Sequence, residues 1–307
     1  MTAEASGGRL ARLLEAGTFA VTGEVVPPRS GDAGAVTDQA RELVGYVDAV
    51  NVTDNPAASP HMSPLAGVRF VAAAGLEPTV QLVCRDRNAL ALTGDLMGGW
   101  ALGARNLLVL AGDPLVVGDH PDAKAVFDVG PDEVVALARR MRDEGTTLSG
   151  AEIVEPPRYL IGVADAPLSD PYDPTKLEAK IAAGADFVMT QIAFDVEALA
   201  AWVETMRARG LFERAKVLIG LTPLRSVKQA RFMNEKLYGV SVPASTVQAL
   251  EDAGNDAREV GLGLTVDIAK ALRKLDGVAG LHLMGLGQED LVRAVIEETG
   301  LFPRPTA

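Results

Sequence analysis

Short apolar runs alternate with amphipathic stretches along nearly the whole chain. The apolar runs are rich in Val, Ile and Leu, which is typical of strands buried on both faces. The predicted strands are Phe19–Val26, Asp48–Val52, Thr79–Val83, Asn106–Leu110, Tyr159–Val163, Phe187–Gln191, Val217–Leu221 and Gly280–Met284. The stretches between them repeat apolar residues at helical spacing. The clearest predicted helices are Pro131–Glu144, Lys176–Ala183, Val196–Arg209 and Ser226–Leu237.

This alternation predicts an α/β fold. About eight strand-then-helix units, each of roughly 30 to 40 residues, match a single (β/α)8 TIM barrel. A doubly wound sheet is the alternative, but it favours a glycine-rich turn after its first strand. Here that strand runs into Pro27 and Pro28, which cannot form such a turn.

The barrel is expected to occupy one domain over residues 1–307, with residues 1–17 as an N-terminal helical extension. An extra helical segment is predicted between strands seven and eight, over Val242–Lys274. Because glycine disfavours helix interiors, Gly254 and Gly261-Leu262-Gly263 are predicted breaks within that segment.

Charge and composition narrow the partners and the compartment. The net charge of −12 argues against a nucleic-acid partner, because such binding uses clustered Lys and Arg. No apolar run reaches the length of about 18 residues that a membrane span requires. The N-terminus has an acidic residue at Glu4 and no continuous apolar core, so it does not resemble a secretory signal. The single cysteine, Cys84, suits a reducing compartment, so a cytoplasmic location is expected.

Polar residues at strand ends are the candidates for chemistry, because a barrel of this type carries its active site at the carboxyl ends of its strands. Glu24 is the strongest of them, lying within the first strand on the face shared with Ala20, Thr22 and Val26. Burial favours the protonated form of a carboxyl group, which is the form that a general acid needs. The alternative is a structural ion pair between Glu24 and an Arg or Lys.

Two further strand ends carry polar candidates with simpler alternatives. Asp113 follows the fourth strand in a tight turn, where Asp and Gly are common in any case. Gln191 closes the sixth strand, where a glutamine is often only a hydrogen-bonding edge residue. A nucleophilic role for Cys84 is not expected, since no histidine has a motif spacing to it. The histidines His61, His120 and His282 are scattered, so no metal site is predicted.

Six segments in register resemble methylenetetrahydrofolate reductases. They are Gly23–Pro28, Asn51–Asp54, Cys84–Asn88, Ala111–Pro114, Met189–Asp195 and Gly220–Leu224. The order and spacing match from about residue 18 to 303, and the closest likeness is to the branch whose reductase domain can be fused to a homocysteine methyltransferase. The resemblance implies an enzyme that reduces 5,10-methylenetetrahydrofolate to 5-methyltetrahydrofolate with NADH or NADPH through a bound flavin.

The resemblance also implies roles for single residues. Glu24 matches the catalytic acid, which assists ring opening to the reactive iminium cation, and Asp113 matches the aspartate near flavin and pterin. Gln191 matches a substrate-binding glutamine, and Thr222 is assigned to the substrate as well. The expected cofactor-binding positions are Thr53, Gln81, Arg85, Gly112, Asp113, Asp173 and Lys180. Lys180 lies two helical turns after Asp173, so a common ligand for the two is expected.

Several positions depart from the family pattern. Ala111 stands where many members have arginine, Gln81 where they have histidine, and Val163 and Val227 where they have aromatic residues. Most of these positions contact flavin in the family, so the folate-side acid is better supported than FAD. FAD is the cofactor that the resemblance implies, and FMN or no flavin are the alternatives. Arg85 and Arg87 are candidates to bind its phosphates.

Two functional alternatives therefore stand beside a flavin reductase. The first is a flavin-free or divergent folate oxidoreductase, including one that runs in the methyl-oxidising direction. The second is a non-catalytic pterin-binding subunit of a methyl-transfer complex. If the chain is an oxidoreductase, a folate and a nicotinamide nucleotide are its expected partners. A second copy of the chain, in a homo-oligomer, is a further candidate partner.

Overall fold

A computed structural model of the chain describes residues 6–306. Eight parallel strands form a closed barrel in which each strand pairs with the next one along the chain and β8 pairs with β1. The strands are β1 (Ala20–Val25), β2 (Ala49–Val52), β3 (Pro78–Val83), β4 (Asn106–Leu110), β5 (Leu160–Asp165), β6 (Phe187–Ile192), β7 (Lys216–Leu221) and β8 (Val278–Leu283).

Helices surround the barrel, and the first of them lies across the end where the strands begin. They are α1 (Arg9–Glu15), α2 (Ala33–Glu42), α3 (Pro64–Ala73), α4 (Ala89–Ala101), α5 (Pro131–Glu144), α6 (Pro174–Ala183), α7 (Val196–Ala208), α8 (Val227–Lys236), α9 (Ala244–Ala253), α10 (Ala257–Leu272) and α11 (Glu289–Glu298). Between residues 6 and 306, no helix is long and apolar enough to cross a membrane.

The predicted barrel is confirmed, and the doubly wound alternative is wrong because the sheet closes on itself. Each predicted strand coincides with an observed one to within two residues at either end. The extra helical segment before β8 is also confirmed, and it consists of α9 and α10 with a break at Gly254. The second predicted break is wrong, since Gly261-Leu262-Gly263 lies inside α10.

Close packing against the end of β7 explains this glycine. A Cβ atom on Gly261 would lie 2.5 Å from the carbonyl oxygen of Leu224, so a larger residue would push the helix away. One turn later, the Thr265 hydroxyl accepts a hydrogen bond of 3.1 Å from the Leu224 amide. Gly261 therefore permits close approach within a continuous helix, at the cost of helix propensity.

The interior of the barrel is filled from the end where the strands begin. Of the predicted helical segment 1–17, residues 1–5 lie outside the described part, and α1 packs across this end of the barrel. One buried cluster joins Leu10 and Leu14 of α1 to Phe187 and to Leu108 and Met189 further along the interior. The strand starts are thus sealed by apolar packing, and the opening lies at the strand ends.

A buried carboxylate at the same closed end binds both ends of the described chain. Asp48 precedes β2, and its side chain is fully buried. It accepts hydrogen bonds from Arg9 of α1 at 2.9 Å, from Arg304 at 2.6 Å and from the Val21 amide at 2.8 Å. Two guanidinium groups and a backbone amide thus compensate the loss of water around this carboxylate.

Candidate active site

A cavity of about 520 Å³ opens at the carboxyl ends of the strands. Its volume falls within the range of roughly 300–1,000 Å³ that is usual for small-molecule sites. Leu108 of β4 and Met189 of β6 line it and also belong to the buried cluster beneath, so they form an apolar floor. Of the residues proposed from sequence, the walls carry Glu24, Thr53, Gln81, Gly112, Asp113, Asp173, Lys180 and Gln191.

Glu24 lies on the β1 wall with its side chain 11% exposed. No Arg or Lys of the described residues forms an ion pair with it. Instead, its Oε2 lies 3.4 Å from Gln81 Nε2 and 3.6 Å from His282 Nε2. Its Oε1 has no hydrogen-bond partner among residues 6–306, so one carboxyl oxygen is held and the other is available to a ligand.

Thr53 follows β2 on the cavity wall. Its buried hydroxyl oxygen has no hydrogen-bond partner in the described part of the chain. Buried hydroxyl groups are usually hydrogen-bonded in native proteins. An unpartnered one at the wall of a cavity is therefore a candidate contact for a ligand or an ordered water.

Asp113 holds the loop that follows β2. Its Oδ2 accepts a hydrogen bond of 2.8 Å from the amide of Ala57, and Asp113 itself is exposed at the cavity wall. In that loop Asn55, Ala57 and Ala58 have φ angles of 44°, 52° and 52°, which are costly for residues with a Cβ. The Asp113 carboxylate thus stabilises a strained loop and also faces the space available to a ligand.

Arg85 lies just outside the cavity, with its side chain only 2% exposed. Its guanidinium donates to both carboxylate oxygens of Asp86, at 2.6 and 2.7 Å, and to the carbonyl oxygen of Asp113 at 2.9 Å. A fourth bond of 3.4 Å reaches the carbonyl oxygen of Asn55. Arg85 therefore ties together the loops after β2, β3 and β4.

Arg87 is committed in the same way. It donates to Asp54 at 2.6 and 3.2 Å and pairs with Asp95 at 2.7 Å. Burial raises the pKa of Asp54, and the hydrogen bonds from Arg87 oppose that shift. Neither Arg85 nor Arg87 lines the cavity among the described residues, because nearby carboxylates hold both guanidinium groups.

The wall formed by β5 and α6 contains a buried ion pair. Lys180 donates to the carbonyl oxygen of Ala164, and its Nζ lies 3.9 Å from Asp165 Oδ1. Tyr172 donates a hydrogen bond of 2.9 Å to the other oxygen of Asp165. Burial raises the pKa of Asp165, with Lys180 opposing, and burial lowers the pKa of Lys180, with Asp165 opposing.

Asp173 lies at the start of α6, away from Lys180 near the helix end. Its carboxylate caps the helix by accepting a hydrogen bond of 3.0 Å from the Thr175 amide. Both residues line the cavity, but each side chain has a protein partner, so the structure does not aim the two at one point.

Gln191 and Thr222 are both hydrogen-bonded within the protein. Gln191 donates to the carbonyl oxygen of Tyr238 at 3.2 Å and accepts from the Ile192 amide at 2.9 Å. Thr222 is fully buried, donates to the carbonyl oxygen of Met284 at 2.7 Å and does not line the cavity. Gln191 thus borders the ligand space, whereas Thr222 lies behind the wall.

Sequence reasoning assigned no role to His282 of β8. The residue lines the cavity and contacts Glu24, and its side chain is 4% exposed. A signal was present, since period-two alternation in β8 places His282 on the same face as Gly280 and Met284. The structure adds the contact itself, since β8 pairs with β1 and brings His282 beside Glu24. In the described part of the chain, no cluster of three His, Cys, Asp or Glu side chains is arranged to hold a metal ion.

The sequence is similar to those of known proteins of one family. The chain matches the family model described as methylenetetrahydrofolate reductase over residues 9–300. It is 27% identical over 238 residues to methylenetetrahydrofolate reductase 1 of Schizosaccharomyces pombe, covering 74% of this chain and 36% of that enzyme. It is 25% identical over 232 residues to 5,10-methylenetetrahydrofolate reductase of Escherichia coli, covering 75% of this chain and 72% of the bacterial enzyme. The matched region is thus little more than a third of the yeast protein.

A solved structure with a similar fold comes from Clostridium thermocellum. It is described as an uncharacterized protein that binds two copies of 5-methyl-5,6,7,8-tetrahydrofolic acid. The TM-score is 0.63 at 12% identity, with 96% of this chain and 98% of the other covered, which supports the fold. The family match spans the barrel and the cavity described above, and the chain therefore belongs to the methylenetetrahydrofolate reductase family.

Proposed function

We propose that this chain reduces 5,10-methylenetetrahydrofolate to 5-methyltetrahydrofolate with NADH or NADPH. The observation that carries the proposal is Glu24, a largely buried carboxyl group on the cavity wall with one oxygen free of protein partners. The bacterial relatives that match over most of their length are named for this reaction. The fold neighbour that binds 5-methyltetrahydrofolate gives the folate class further support.

The chemistry requires one proton and one hydride. Glu24 donates the proton to N10 of the folate, which breaks the bond from N10 to the bridging carbon and leaves a 5-iminium cation. A hydride from the reduced nicotinamide then adds to that carbon and forms the methyl group. A general acid contributes typically about 10²- to 10⁴-fold to such a step. The apolar floor of Leu108 and Met189 limits the access of water to the cation.

The family resemblance implies a bound flavin as the hydride carrier. Whether a flavin fits depends on which charged groups around the cavity are free to bind its phosphates. A resident dinucleotide needs cations or free backbone amides for its phosphates. Arg85 and Arg87 are bound to carboxylates, and Lys180 is held by Asp165 and Ala164. Asp173 already caps the start of α6. These residues do not fit a tightly held FAD, and among the described residues that line the cavity only Lys176, exposed at the rim, is left as a cation for a phosphate.

Because Arg85, Arg87 and Lys180 are already bound to protein groups, we favour a second form of the reaction. In it, hydride passes directly from the nicotinamide to the folate. A co-substrate that leaves after each turnover needs only its nicotinamide ring in the cavity, and micromolar affinity is enough for it. The exposed Lys176 at the rim is a cation that its phosphates can approach. We therefore propose direct transfer, with FAD or FMN as the alternative carrier. Reduction rather than methyl oxidation, and a cytoplasmic location, are part of the same proposal.

The first experiment combines an absorption spectrum with steady-state kinetics. A colourless protein that stays colourless after incubation with FAD or FMN, yet oxidises NADH or NADPH only when methylenetetrahydrofolate is present, would support direct transfer. Its double-reciprocal plots should intersect, because both substrates must be bound together. A band at about 450 nm that bleaches with nucleotide and returns with folate would instead establish a flavin carrier. Absence of folate-dependent oxidation with either nucleotide would overturn the reductase proposal.

A further inference from the structure

The carboxyl group of Glu24 has two nitrogen neighbours on one of its oxygens. Gln81 Nε2 and His282 Nε2 lie 3.4 and 3.6 Å from Oε2. Hydrogen bonds at catalytic groups are often long without ligand and tighten when substrate binds. If both nitrogens donate to Oε2, the acid's proton belongs on Oε1.

His282 contacts β1 through its other ring nitrogen, Nδ1, which does not face Glu24. Thr22 and His282 are register partners of neighbouring strands, and Thr22 Oγ1 lies 3.0 Å from His282 Nδ1. The same hydroxyl lies 3.4 Å from the carbonyl oxygen of Leu281. With Thr22 fully buried and the imidazole 4% exposed, the ring has polar contacts at both nitrogens and little freedom to rotate.

We propose that His282 is a positioning residue for Glu24, an inference that rests on the proposed reductase function. In this arrangement the single hydroxyl proton of Thr22 goes to Nδ1 at 3.0 Å rather than to the more distant Leu281 oxygen at 3.4 Å, so the proton of the neutral imidazole lies on Nε2 and is donated to Glu24 Oε2. Gln81 donates to the same oxygen. The carboxyl group is thereby held in one orientation, with Oε1–H directed at the substrate nitrogen. The contacts at both nitrogens fix the orientation of the imidazole ring, and one of them is with the carboxyl group on the cavity wall.

Two substitutions of His282 separate positioning from packing. The amide nitrogen of Gln reaches the place of Nε2, whereas that of Asn reaches only the place of Nδ1. We expect His282→Asn to lower kcat by about tenfold or more, with the KM for methylenetetrahydrofolate nearly unchanged. His282→Gln should recover most of that loss. His120→Asn, which alters an exposed histidine, is the control and should keep the wild-type kcat.

Nitrogen NMR tests the contact without relying on activity. The chain has three histidines, so three imidazole signal sets are expected from the labelled protein. In Glu24→Gln the Nε2 signal of His282 should move, because its acceptor changes from a carboxyl to an amide oxygen, while His61 and His120 should not respond. Unchanged His282 signals, or equal loss of kcat in the Asn and Gln variants, would overturn the positioning role. If the wild-type protein lacks reductase activity, the proposed function fails, and the NMR result still decides the contact.

Discussion

At the scale of single residues, the side chains around the cavity differ in how far the protein already satisfies them. Arg85, Lys180 and Gln191 donate hydrogen bonds to acceptors within the protein. By contrast, Glu24 Oε1 and Thr53 Oγ1 have no hydrogen-bond partner among residues 6–306. Unsatisfied polar atoms next to a cavity mark where a ligand gains most, because bonding them replaces lost hydration. We therefore expect a bound ligand to form its main hydrogen bonds with the β1 and β2 side of the cavity.

Glu24→Gln tests the acid directly. The amide keeps the size of the carboxyl group but cannot donate its proton to N10, so kcat should fall by about 10²- to 10⁴-fold while folate binding persists. Glu77→Gln is a matched control, because Glu77 lies near the closed end and accepts a hydrogen bond of 3.0 Å from the Leu10 amide. Turnover measured by nucleotide oxidation should remain normal in that control. Wild-type turnover in Glu24→Gln would remove Glu24 from its role.

Lys180→Met tests the buried ion pair by its effect on stability. Without the ammonium, Asp165 is left unpaired, and at pH 7 the free energy of unfolding should fall by about 3 kcal/mol. The pKa of Asp165 is raised by burial and would rise further, so the folded variant loses stability as the pH climbs through that pKa and regains it as the pH falls. Urea denaturation between pH 5 and 8 measures this. Lys176→Met, on the same helix but exposed, should cost little at any pH.

At the scale of elements, the strands were predictable and the side-chain partnerships were not. A parallel strand buried on both faces is a continuous apolar run, so the limits of β4 could be read directly from the sequence. The ends of the strands also converge as the barrel requires, which is why Glu24, Gln81 and Asp113 share a cavity. Arg85 follows a strand equally closely, yet it faces Asp86, and local sequence carries no signal of that choice.

The loop after β2 depends on Asp113, and a pair of substitutions tests how. Asp113→Asn removes the charge but keeps an oxygen that can accept from the Ala57 amide, whereas Asp113→Ala removes both. Because the loop has three residues at positive φ, we expect the Ala variant to have the lower kcat/KM, by about tenfold. Hydrogen exchange of residues 55–58 should rise in the Ala variant only. Equal losses in both variants would assign Asp113 to a charge effect on the substrate instead.

Helix α1 is expected to matter for stability but not for chemistry. Leu14 is almost fully buried in the cluster that seals the closed end of the barrel. Leu14→Ala should therefore cost about 3 kcal/mol in the free energy of unfolding, as for other buried leucines. The kcat of the folded variant should stay within twofold of wild type, since the site lies at the opposite end. A large fall in kcat without a loss of stability would contradict this separation.

At the scale of the whole molecule, the barrel separates two tasks by position. The closed end carries α1, Asp48 and the apolar cluster, while the open end carries the loops and the cavity. Packing at the closed end thus stabilises the fold. The fold can therefore tolerate unfavourable backbone conformations at the open end, such as the positive φ angles near Ala57. This arrangement is general for barrels, in which the strand ends vary with chemistry and the strand starts with stability.

The thiol of Cys84, the one cysteine of the sequence, can be used to measure opening of the barrel. Cys84 is fully buried beside the outer helices, and burial raises its pKa to about 12. A thiol reagent should therefore label the native protein only as fast as it opens, and rapidly in urea. Bound folate should slow labelling by stabilising the native state. Fast labelling of the native protein, monitored by absorbance, would show that the region around β3 opens locally.

The carboxylate of Asp48 has a practical consequence for protein engineering. Because Arg9 and Arg304 both bind it, the two ends of the described chain lie side by side on the face opposite the cavity. A fusion partner, an affinity tag or a surface tether attached at either end would leave the mouth of the barrel open. A short linker joining the two ends should likewise allow the chain to be reopened in an outer loop, giving circular permutants that keep the cavity intact.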